Sequence, residues 1–108
     1  MNIKDFADKF GYEILCCPEP DREITGGYAG DLLSWVMGRL NEGSAWVTIM
    51  SNVNIVAVAS LADPSCIILS EGVSPDDGVV DRAVGLGVNI LKTSKDTFAA
   101  CADVNSVL

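Results

Sequence analysis

The run Cys66-Ile67-Ile68-Leu69-Ser70 constrains the fold more than any other feature of this chain. A strand apolar at nearly every position cannot keep one face in water, so both of its faces must be covered. Helices are the usual cover, and helix-period segments alternate with strand-like runs along the sequence. Asn2 to Phe10 places Ile3, Phe6, Ala7 and Phe10 on one helical face, and Gly11 is a natural stop. Tyr12 to Cys17 reads as a strand, after which Pro18 and Pro20 force an extended connection. From Asp31 the spacing of Leu32, Leu33, Val36, Met37 and Leu40 predicts a helix that Gly43 ends.

Ala45 to Met50, β-branched and aromatic, follows as a strand. Val53 to Ala62 could extend as a strand, but its length, its alanines and a cap at Ser51 or Asn52 favour a helix, which Pro64 closes. Ser74-Pro75-Asp76-Asp77 has the form of a helix start, with a hydroxyl cap, a proline and acids over the positive dipole end. That helix should run to about Leu86, and Val88 to Leu91 should form a short strand. Thr93 or Ser94 should then cap a last helix with Phe98, Ala99, Cys101 and Ala102 inward. The expected architecture is a three-layer α/β sandwich: a mainly parallel sheet of four to five strands with helices on both faces, in one domain spanning residues 1–108.

Charge narrows the function. Fifteen acids against seven bases leave a net charge of −8, which repels phosphate backbones and anionic lipid. Neither nucleic acid nor membrane is therefore an expected partner. The N-terminal residues lack the basic-then-apolar profile of a signal peptide, which makes the cytoplasm the expected location. Cys16, Cys17, Cys66 and Cys101 lie within apolar segments and read as small buried thiols. No Cys-x-x-Cys pair and no histidine is present, so neither a metal site nor a cofactor is expected.

The segment that invites a functional reading is Asp21-Arg22-Glu23-Ile24-Thr25-Gly26-Gly27-Tyr28-Ala29-Gly30-Asp31. Three glycines leading into a helix start can offer backbone N–H groups to an anion. Neither the phosphate-loop lysine nor the dinucleotide glycine spacing is there, however, and Asp31 at the helix start supplies a carboxylate of its own. The favoured role is conformational, with glycines permitting positive φ and close chain approach. Arg22, Thr25, Gly26, Gly27, Tyr28, Gly30, Asp31 and Ser34 are the candidates for a ligand or interface site. Arg22 either pins this turn through a carboxylate or a carbonyl, the favoured account, or faces outward to hold an anion.

Asp21-Arg22 and Thr25-Gly26-Gly27 resemble the signature of the DRTGG domain family, with Glu23-Ile24 interposed. The similarity continues through Gly30 to Ser34, Trp46 to Ile49 and Asn54 to Ala59, and so covers nearly the whole chain. The resemblance implies a regulatory domain of the kind that accompanies CBS domains in some pyrophosphatases, where it lies at subunit contacts. It also implies likeness to the N-terminal domain of HPr kinase/phosphorylase, without the kinase domain, and supplies no catalytic residues.

Other candidates for chemistry have plainer roles. Cys16-Cys17 lacks an activating histidine, Asp76-Asp77 suits a helix dipole, and Gly85-Leu86-Gly87 reads as a helix stop. Trp35, off the apolar face of its helix, is a candidate contact residue. The expected function is a non-catalytic regulatory or assembly module that self-associates as a homodimer, because the Val53–Ala62 helix lacks a polar stripe and needs cover. The alternative is a small-molecule sensor holding a nucleotide or other anion at the Thr25–Asp31 turn; a protein partner is also open.

Overall fold

The computed structural model describes residues 1–108. Helix α1 (Ile3–Phe10) starts where the Asn2 side chain accepts from the Asp5 N–H at 2.8 Å, and ends at Gly11, whose φ of 74° is left-handed. Strand β1 (Glu13–Cys16) follows, and the chain then crosses to the far side of the molecule. The crossing segment is tied to the start of α1: Ile3 donates to the Arg22 carbonyl and Ile24 to the Met1 carbonyl. After it come β2 (Gly26–Ala29), α2 (Leu33–Arg39), β3 (Ser44–Thr48), α3 (Asn54–Ala62), β4 (Cys66–Leu69), α4 (Val79–Gly85), β5 (Ile90–Lys92) and α5 (Thr97–Ser106).

The five strands lie in the order β1-β5-β4-β3-β2. Strands β2 to β5 are parallel and sequential, while β1 joins β5 antiparallel with a register irregularity between Ile14 and Cys16. Because every parallel crossover steps in the same direction, right-handed connections send α2, α3 and α4 to one face. The side-chain clusters follow that rule. Val36, Ile55, Val56, Val79 and Ala83 pack with Trp46, Ile67 and Leu69 on one side. Ile3, Phe6, Ala100 and Val104 pack with Ala45, Val47, Ile68 and Leu91 on the other. The strand order never reverses among the parallel strands, so the sheet lacks the switch-point crevice where open α/β sheets usually hold ligands. Alternate residues of β3 and β4 enter opposite cores, and all nine are buried, as a doubly covered sheet requires.

Five local expectations are corrected. Helix α2 begins at Leu33, and its N-cap Leu32 makes no side-chain capping bond. Leu32 and Met37, expected inward, are exposed. Helix α4 begins at Val79 behind the left-handed Gly78, so Ser74 and Asp76-Asp77 lie in the loop before it. There Ser74 accepts from Lys92 Nζ and Asp76 from the Ser51 hydroxyl; these side-chain partners, with the Asp76 N–H bonded to the Ser51 carbonyl, tie the loop to its neighbours. Helix α5 is capped by Asp96, which accepts from the Ala99 N–H at 2.7 Å, rather than by Thr93 or Ser94. The cap's position sets the phase of the helix. Ala100 and Val104 face the core, Ala102 is exposed, and Phe98 points outward, 85% exposed.

Candidate functional site

The glycine segment forms edge strand β2 rather than a turn. Gly26, Gly27 and Gly30 are all outside the left-handed region, so they do not serve positive φ. Close approach of neighbouring side chains is what favours glycine at 26 and 27. A Cβ on Gly26 would lie 2.8 Å from the Ser44 hydroxyl oxygen, and one on Gly27 would lie 2.9 Å from Val104 Cγ1 of α5. Both distances are shorter than nonbonded atoms tolerate without something shifting.

The ends of β2 are fastened to its surroundings. At the entry, Arg22 donates to the Asp63 carboxylate at 2.6 Å and to the Asp63 carbonyl at 2.9 Å, with Glu19 3.5 Å away. The Asp63 partnership raises the Arg22 pKa further, against a smaller opposing effect of burial. Asp63 is the left-handed C-cap of α3, and its carbonyl also accepts from the Gly43 N–H. Thr25 in turn donates its N–H to the Gly43 carbonyl. At the exit, Gly30 donates its N–H to Val47, and its carbonyl accepts from Trp46 Nε1 at 2.9 Å. The Asp31 carboxylate accepts from the Thr48 hydroxyl at 2.7 Å and from the Ile49 N–H at 2.9 Å. Asp31 therefore braces the loop after β3 and does not cap α2. Tyr28 packs against the three-helix core, and Ser34 is exposed on α2. The predicted residues from Arg22 to Asp31 thus run along one edge, and Ser34 stands apart on α2. Sequence reading missed Asp63 and Val104, which lie 41 and 77 positions beyond Arg22 and Gly27 and carry no local motif.

The outer side of β2 is open. Gly30 donates inward to β3, so strand alternation turns the N–H and C=O groups of Ala29 and Gly27 outward. Beside this edge lies a groove of about 250 Å³, floored by Gly27, Ala29 and Val47 and walled by Cys101, Val104 and Leu108. No charged side chain lines it.

The thiols are poorly suited to nucleophilic chemistry. Burial pushes Cys66 up to about 12 and raises Cys16, Cys17 and Cys101 as well. No three cysteine, aspartate or glutamate side chains converge as a metal site would need. No helix is long and apolar enough to cross a membrane.

The DRTGG domain model matches residues 28–107. This chain belongs to the DRTGG domain family. The match begins just after Asp21-Arg22 and Thr25-Gly26-Gly27, so membership rests on the sheet and its helices rather than on the namesake letters. No curated protein matches the chain by sequence. Among solved structures, this DRTGG domain is similar to the CBS and DRTGG domains of the regulatory region of Clostridium perfringens pyrophosphatase, complexed with the activator diadenosine tetraphosphate. The TM-score is 0.75 at 16% identity, over 95% of this chain and 45% of that one. The chain thus spans less than half of that regulatory region, and the likeness is one of fold.

Proposed function

We propose that this DRTGG domain is a non-catalytic regulatory module that acts by self-association, working as a single unit over residues 1–108 in the cytoplasm. The observation that supports this reading is the open edge at β2. Strand edges left free in folded proteins are usually guarded by charge, proline or a bulge. The opposite edge, β1, has all three: exposed Glu13, the irregularity at Ile14–Cys16, and Pro18 just beyond. Between Gly26 and Ala29 there is no charge and no proline. The outer face of α3, with Val53, Ala57, Ser60 and Leu61 exposed, is likewise free of charge. Light scattering coupled to size exclusion at micromolar concentration should give at least twice the 11.4 kDa chain mass. A monomer would refute self-association. Incubation with ATP, magnesium and HPr should leave HPr unphosphorylated.

The second reading, a nucleotide sensor on the Arg22–Asp31 segment, draws on the activator bound by the pyrophosphatase regulatory region. Titration with diadenosine tetraphosphate tests it. Saturable heat that is lost in Arg22→Met would favour the sensor. The engagement of Arg22 with Asp63 supports the pinning role instead, in which Arg22→Met lowers the melting temperature with no ligand present.

A further inference from the structure

Helix α5 carries a knob and a hole on the same flank. Phe98, at 85%, is the most exposed large apolar side chain of the molecule. It shares its side of the helix with Cys101, Ala102 and Asn105, which lie three, four and seven residues on. Cys101 and Asn105 also wall the groove of about 250 Å³ beside β2. That volume is sufficient to receive an aromatic side chain. None of these four flank residues is charged, whereas Asp103, on another side of the helix, is held by Lys95 and Tyr12.

Resting on the self-association reading, we propose that a second copy of this chain docks across the β2 edge, with Phe98 of each copy seated in the β2–α5 groove of the other. A twofold axis makes such a contact self-complementary. It would pair β2 with its symmetry mate antiparallel through the outward N–H and C=O groups of Gly27 and Ala29. It would also lay the two α5 helices side by side in opposite directions. With the axis passing midway between Cys101 and Ala102, Phe98 of one helix falls level with Asn105 of the other, at the groove. The small side chains at 101 and 102 let the helices approach at the axis. Charge selects where a second copy can dock: a chain of net charge −8 repels its own copy over most of its surface, and neither β2 nor this flank carries a charged side chain. Phe98 also has no intramolecular role, since the core position of its turn is filled by Ala100.

The test uses the full chain. Light scattering should show a dimer for wild type, a monomer for Phe98→Asp, and a dimer for Leu61→Asp on the α3 face. Because Phe98 is so exposed, the Phe98→Asp circular dichroism spectrum should match wild type. In a Cys17→Ser background, a short bis-maleimide should link the partly exposed Cys101 thiols of two copies, and Cys101→Ser should abolish the link. A monomeric wild type would overturn both self-association and this contact. A dimer that survives Phe98→Asp and gives no Cys101 link would overturn this contact alone. Conversion of Leu61→Asp to monomer would do the same, by moving the interface to α3.

Discussion

At Gly27 the absence of a side chain leaves room for Val104 of α5 to pack against the sheet edge. A Cβ there would lie 2.9 Å from Val104 Cγ1, so either that side chain must turn or α5 must shift, and the adjoining groove changes shape with it. Gly27→Val should therefore lower stability by about 1–3 kcal/mol, read as a shift in the urea midpoint. Asn89 does comparable work with hydrogen bonds. Buried at the start of β5, it accepts from the Glu19 N–H and donates to the Glu19 and Ser65 carbonyls. Asn89→Leu leaves those backbone groups unpaired and should cost about 2–4 kcal/mol in the same measurement.

Cys66 and Tyr12 give the fold a limit at high pH. Burial raises both, and the hydrogen bond to Asp103 raises Tyr12 further. An unfolded cysteine releases its proton near 9, whereas folded Cys66 holds it to about 12. The unfolded state thus binds fewer protons across that interval, and stability must fall as pH rises. From Cys66 the loss begins above pH 9 and is complete near 12, and Tyr12 adds to it above 10. Urea midpoints should be lower at pH 10.5 than at pH 8, and Cys66→Ala should flatten part of that slope. Equal midpoints at the two pH values would contradict both shifts.

Among the elements, helix starts differ most from what local sequence suggests. Ser74-Pro75-Asp76-Asp77 has every mark of an N-terminus, yet it is a loop bonded to Lys92 and Ser51, and the helix starts only after the left-handed Gly78. Asp96, in contrast, caps α5 through the Ala99 N–H. Asp96→Ala should cost about 1 kcal/mol, whereas Ser74→Ala, which removes only an exposed bond, should change the thermal midpoint far less. A larger loss from Ser74→Ala would mean that Ser74 is the more important start signal. The phase set by Asp96 is also what turns Phe98 outward.

For the whole molecule, net charge and self-association oppose each other. Two copies at −8 repel at long range, and salt screens that repulsion over about 10 Å at 0.1 M. A contact without charged pairs loses nothing to that screening. Raising sodium chloride from 20 to 300 mM, at about those concentrations, should therefore tighten the dimer rather than weaken it, as dilution experiments by light scattering would show. Weakening by salt would point to an interface built from ion pairs.

The order of elements and the parallel sheet were legible in the sequence because they rest on local patterns. Continuous apolar runs such as Cys66–Leu69 demand cover on both faces, and helix periodicity supplies it. The ambiguous Val53–Ala62 stretch forms α3 over Asn54–Ala62, as its length and alanines suggested. Tertiary contact decided the candidate site. Thr25 to Asp31 looks like a turn because glycines permit one, but extended backbone is equally open to glycine, and pairing with β3 selected it. The reason those glycines must lack side chains lies in Ser44 and Val104, and the anchor of Arg22 lies in Asp63. Such partners are distant in sequence and adjacent only after folding, so no local pattern records them. Propensity and periodicity act over a few neighbouring residues, and the surface that a sheet edge and a helix make together forms only once both are in place.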